Sequence, residues 1–176
     1  VAATNDSDLA VQLHRGQLVS GALLPPIDSY RLLQDVKTLA LRLERQQQNA
    51  RKLIDFLSAR PEVEKIFYAG SSSEEQAEVQ SRQARGIGSV FSLLLKDGGD
   101  AQAFARALPI FVNAVSLGGI ESLVSLPAHT THGAYAQEHR DEFGVDDRLV
   151  RLAIGIEDIQ DLIAALEIGL KAAFAG

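Results

Sequence analysis

The spacing of apolar residues changes several times along the chain, and each change predicts an element. Leu9, Val11 and Leu13 lie among polar residues in 8–14, where Asp6 or Ser7 is placed to cap a short helix. Pro25 and Pro26 in GALLPP end that pattern, because proline lacks the amide and pushes its predecessor toward extended geometry. From Ile27 to Arg60 neither Gly nor Pro recurs, and Leu32, Val36, Leu39, Leu43, Ala50, Leu53 and Leu57 follow at helical steps. One long amphipathic helix is expected there, capped by Asp28 or Ser29 and ended by Arg60-Pro61.

Beyond it the periods shorten. Glu62–Tyr68 reads as a short strand and Glu74–Arg85 as a polar surface helix. Val90–Leu95, broken only by Ser92, reads as a buried strand running into the turn at Gly98-Gly99. Ala101, Phe104, Ala105 and Leu108 predict a helix over 100–108 that Pro109 stops. Ile110–Val115 and Ser122–Leu126 are β-prone runs on either side of Gly118-Gly119, Tyr135–Glu142 is helical in character, and RLVRLAI (148–154) alternates as a strand does. A strongly apolar helix closes the pattern over 158–174. Helices interleaved with short strands, some joined by links too short for a parallel crossover, imply an α+β fold in which helices cover a small mixed or largely antiparallel sheet.

Composition narrows the function classes. A chain of 176 residues with 46% hydrophobic and 23% charged residues can bury a real core, and a net charge of −6 gives no electrostatic footprint for nucleic acid. No apolar run approaches the roughly 20 residues that cross a bilayer, and the first ten residues lack the basic and apolar regions of a secretory signal. Neither nucleic acid nor membrane is expected as a partner, and cytoplasm is the default location by elimination. The absence of cysteine removes disulfides, thiolate metal sites and a cysteine nucleophile. Methionine is absent even at position 1, so translation is expected to start upstream of Val1.

Few residues carry chemistry by spacing alone. GIGS (86–89) precedes a strand rather than opening a helix, so it reads as a turn and not as a phosphate loop. His129 and His132 make no zinc-binding HExxH, and Ser89 is in no Gly-x-Ser-x-Gly elbow. Arg151 stands out, because it sits in a strand between Val150 and Leu152 and a guanidinium so placed requires an anion. The residues leave two readings open: an ion pair with Glu157 or Asp158, or a carboxylate ligand held by the planar fork.

Three segments in order, SLGGIESL, LPAHTTHGAY and LVRLAIGIEDIQDLIAAL, resemble the C-terminal part of the Cys/Met-metabolism pyridoxal-phosphate enzymes. This is the family of cystathionine γ-synthase, the cystathionine lyases, methionine γ-lyase and the homoserine-ester sulfhydrylases. The segment from ALLPP through KIFYAG extends the likeness to essentially the whole chain. The resemblance implies that 1–38 is the tail of the cofactor domain with the start of a connecting helix, and that 39–176 is the C-terminal, substrate-side domain. It implies that Arg151 and Ser116 bind the substrate carboxylate and that Thr131 and Val115 line the pocket. It also implies pyridoxal phosphate as the cofactor, an amino-acid substrate, and a homotetramer with sites completed across a dimer contact.

The family's Schiff-base lysine and phosphate-binding residues belong to a preceding N-terminal cofactor domain, and Lys37, Lys52, Lys65, Lys96 and Lys171 match no cofactor lysine. The expected function is therefore β/γ-elimination or γ-replacement at a C–S or C–O bond in an intact enzyme of sulfur amino-acid metabolism, with this chain inert alone. A free-standing, non-catalytic binding or assembly domain of the same fold is the alternative.

Overall fold

The computed structural model describes residues 2–175 and divides the chain into two compact units, 1–40 and 41–176. The first holds α1 (Ser7–Ser20) and α2 (Pro26–Lys37). Asp6 caps α1 by accepting from the amides of Asp8 and Leu9, and Gly21 ends it with a left-handed φ of 67°. Helix α2 corrects the expected cap. Pro26 occupies its first position, where the missing amide costs nothing, and Asp28 and Ser29 lie inside the first turn instead of capping it.

The expected single helix over 27–60 is two helices, α2 and α3 (Leu39–Ser58). They part at Thr38, whose amide and hydroxyl both turn back 3.4 Å onto the Asp35 carbonyl. That tight last turn satisfies a carbonyl that a continuous helix would have bonded farther along. Helical spacing of apolar residues does not register a one-residue break of this kind.

The second unit holds α3 from Leu41 onward and then alternates: β1 (Val63–Phe67), α4 (Glu74–Gln83), β2 (Val90–Leu95), α5 (Ala101–Ala107), β3 (Val112–Asn113), β4 (Leu123–Ser125), a 3₁₀ turn (Pro127–His129), α6 (Gln137–Glu142), β5 (Leu149–Ala153) and α7 (Ile159–Ala173). The strands form one mixed sheet in the order β1-β2-β5-β4-β3. Three pairings are antiparallel, and β3 pairs with β4 in parallel. The link 114–122 is too short for an ordinary parallel crossover, but each strand contributes only two paired residues, so the chain has only about 7 Å to recover.

Alternation along the strands decides which face is covered. Phe91, Leu93, Leu95, Val124, Val150 and Leu152 point to one side and are buried with Leu53 and Leu57 of α3, Phe104 of α5, and Leu162, Leu166 and Leu170 of α7. Helix α7 comes close to α5 at Gly169, where an added Cβ would stand 2.7 Å from Leu108 Cδ2. The opposite face carries the polar positions of the same strands.

Candidate functional site

Arg151 sits in the middle of β5 on the face opposite Val150 and Leu152. In register it pairs with Ser92 of β2 on one side and Ser125 of β4 on the other, so its stem lies between two short polar side chains. Such a row leaves room for a long side chain to cross the sheet surface. The guanidinium reaches the loop between β3 and β4: Nη2 donates to the Val115 carbonyl at 2.7 Å and to the Ser116 carbonyl at 3.3 Å.

The ion pair left open by spacing does not form. Both oxygens of Glu157 are taken by Ser122, whose amide donates to Oε1 at 2.5 Å and whose hydroxyl donates to Oε2 at 2.9 Å. Asp158 caps α7 by accepting from the Gln160 amide at 2.8 Å. With both acids engaged at the turn after β5, Arg151 has no carboxylate partner among the described residues. A guanidinium carries five N–H donors in a fixed plane. Here two carbonyls share one nitrogen, and among the described residues no other hydrogen bond or ion pair engages the guanidinium, a state in which its fork is able to meet an anion.

The loop that meets Arg151 is held at its far end. Gln46 donates to the Gly119 carbonyl at 2.5 Å, and the Ile156 amide donates to the Ile120 carbonyl at 2.9 Å. Gly118 provides the left-handed turn with φ 81°. Ser122 is fully buried, and its hydroxyl also accepts from the Gly155 amide at 2.9 Å. Asn49 closes the network by donating to the carbonyls of Gly155 and Glu157. Val115, Leu117 and Ile120 remain exposed along the loop.

Among the expected site residues, Arg151, Val115 and Ser116 therefore come together, with Ser116 contributing its carbonyl to Arg151. Thr131 lies in the turn after the 3₁₀ segment, its hydroxyl 2.9 Å from His132 Nδ1. His129 contacts Gln102 at 3.2 Å, and the His132 ring packs near Tyr135 and Phe143 at 5.9 and 6.2 Å. The residues that reading the sequence missed are Gln46, Asn49 and Ser122, and Glu157, expected as a possible partner of Arg151, binds Ser122 instead. A signal existed for two of them: Gln46 and Asn49 fall on the stripe of α3 that also holds Ala50, Leu53 and Leu57, and a polar side chain on a buried stripe must bond to something.

A lysine that attaches a carbonyl cofactor works from a desolvated pocket where its amine is neutral. All five lysines of this chain are exposed; Lys37 donates to Gln34, and Lys65 stands 4.9 Å over the Phe67 ring. None of the five lysines has the buried setting that a covalent cofactor attachment requires.

Comparison with known proteins gives a consistent set of relatives. The family described as Cys/Met metabolism PLP-dependent enzyme matches residues 1–171. Cystathionine gamma-lyase of Bacillus subtilis is 40% identical over 160 residues, covering 91% of this chain and 42% of the relative. L-methionine gamma-lyase of Fusobacterium nucleatum is 39% identical over 154 residues, covering 87% of this chain and 39% of the relative. Among solved structures, cystathionine gamma-lyase from Lactobacillus plantarum complexed with L-serine superposes with a TM-score of 0.89 at 35% identity, covering 97% of this chain and 45% of that one. The chain thus spans less than half the length of the proteins it matches.

Proposed function

The chain belongs to the Cys/Met metabolism PLP-dependent enzyme family, and from that premise we propose that it forms the C-terminal, substrate-side part of an enzyme of sulfur amino-acid metabolism. The reaction class is β- or γ-elimination, or γ-replacement, at a C–S or C–O bond of an amino acid. The observation that carries the proposal is Arg151: a strand-borne guanidinium with one nitrogen on the Val115 and Ser116 carbonyls and no carboxylate partner among the described residues. A substrate α-carboxylate supplies the missing anion, and the fixed plane of the fork orients the amino acid about its Cα.

Pyridoxal phosphate is the cofactor of the intact enzyme, where it supplies the electron sink for loss of the Cα proton. In this chain Arg151 and the Ser116 segment bind and orient, and Val115 and Thr131 line the pocket. In this reading the chain alone is inert, which the exposure of its five lysines supports. Residues 1–38 belong with the preceding cofactor domain and 39–176 with the substrate side, a division supported by the compact units and the helix break at Thr38. The intact enzyme is a cytoplasmic homotetramer with sites completed across a dimer contact.

Substitution of Arg151 by Ala in the intact enzyme tests the assignment. Loss of a partly exposed charge-assisted contact, about 2–3 kcal/mol, weakens amino-acid binding by roughly 30- to 140-fold. Affinity for the amino acid unchanged in that variant would refute the carboxylate role.

A further inference from the structure

The carboxylate of Glu157 is half-buried and forms no ion pair among the described residues; Arg45 donates to the Glu157 backbone carbonyl at 3.2 Å and not to the carboxylate. Burial of a charge without a counter-ion is unfavourable unless hydrogen bonds replace its water. Glu157 meets this condition by binding one residue twice, accepting from both the amide and the hydroxyl of Ser122. The Ser122 hydroxyl in turn accepts from Gly155, four residues beyond Arg151 on the same chain segment. Ser122 ends the loop whose other end presents the Val115 and Ser116 carbonyls to Arg151. Strand β5 and the turn after it therefore grip the 114–122 loop twice, by Arg151 near β3 and by Glu157 near β4.

We propose that Glu157 is a positioning residue for anion binding: by locking Ser122 it fixes where the loop carbonyls stand, and these set the plane of the Arg151 guanidinium. The proposal rests on the reading of Arg151 as the carboxylate-binding side chain. A carboxylate suits the task because it offers two acceptors at once, one for an N–H and one for an O–H, and an apolar residue would leave both Ser122 groups buried and unpaired.

The test uses the intact enzyme with L-alanine and L-alaninamide as probes, their dissociation constants measured by titration calorimetry. Their affinity ratio reports recognition of the carboxylate and not general integrity of the fold. Arg151→Ala is expected to abolish the preference for alanine. Glu157→Ala is expected to cut it about tenfold, and Glu157→Gln, which keeps an acceptor for the Ser122 amide, to restore part of it. Amide hydrogen exchange over 116–121 is expected to quicken in Glu157→Ala while the amides of Val150 and Leu152 keep their protection.

A preference retained in Arg151→Ala would overturn the carboxylate reading and this inference with it. A preference lost in Arg151→Ala but unchanged in Glu157→Ala would overturn the positioning role alone. If Glu157→Ala does not fold, Glu157→Gln and Ser122→Ala decide instead, and a wild-type ratio in both would overturn the proposal.

Discussion

Replacing Gly155 by alanine tests how tightly the loop is clamped to β5. The φ of Gly155 lies outside the left-handed region, so alanine can adopt the same backbone and the penalty is steric. The added Cβ would stand 2.2 Å from the Ile120 carbonyl oxygen, 2.5 Å from Glu157 Oε2 and 2.7 Å from the Glu121 carbonyl carbon. Non-bonded heavy atoms settle at about 3.5–4 Å, so the loop must retreat by roughly an ångström. Two of the three atoms are backbone and have no rotamer with which to yield.

That retreat breaks the bond from the Ile156 amide to the Ile120 carbonyl and strains the Ser122–Glu157 pair. Overpacking costs about 1–3 kcal/mol and the lost hydrogen bond about 1 more, a destabilisation of about 2–4 kcal/mol. For a chain of this size Tm falls by about 4–16 °C, to be read from thermal melts by circular dichroism. Gly16→Ala is the control: it sits inside α1 with nothing within 4 Å of the new Cβ, and replacing an interior helix glycine is expected to stabilise by about 0.5–1 kcal/mol. A Gly155→Ala chain melting as high as the parent would refute the argument.

Leu152 is fully buried at the centre of the sheet between its partners Phe91 and Val124, and Leu152→Ala is expected to cost about 2–5 kcal/mol in urea denaturation. Asp100 caps α5 by accepting from the amides of Gln102 and Ala103, so Asp100→Ala should lose about 1 kcal/mol by the same measurement. The side-chain hydrogen bond from Arg148 holds the Asp146 carboxyl below the usual aspartate value. A lowered folded value contributes stability above the unfolded pKa of about 4, and that contribution disappears as pH falls through the folded value, so Asp146→Asn should flatten the acid limb of a Tm-against-pH profile.

Much of this architecture is legible in the sequence because burial acts through period. Val90–Leu95 is a near-continuous apolar run in the sequence and a strand in the structure, where burial alternates with Phe91, Leu93 and Leu95 inward, and Arg151 is identifiable as the charge between two inward residues. The Thr38 break and the parallel β3–β4 pair are not legible, since one is a local backbone adjustment and the other depends on how a nine-position link folds back. The partners of Arg151 are hidden for a related reason. They are backbone carbonyls, which every residue has, so no residue type at 115 or 116 announces them. Glu157 and Asp158 looked interchangeable as ion-pair partners, and only the turn after β5 separates a loop clamp from a helix cap.

With the role proposed for Arg151, strand alternation also separates stability from binding within β5. Val150 and Leu152 face the helices and are fully buried, so changes there are felt by the whole core. Arg151, between them in sequence, is half-buried on the other face, where its guanidinium bonds to backbone carbonyls at the edge of solvent. Removing its side chain should therefore cost little stability and much affinity, whereas Leu152→Ala should do the reverse. Gly155, Ser122 and Glu157 combine the two effects, because the network that joins loop to strand is buried at Ser122 while the carbonyls at the other end of the loop accept from the Arg151 guanidinium. A change at these three positions should lower both stability and carboxylate preference, and that joint response distinguishes the clamp from the core beneath it.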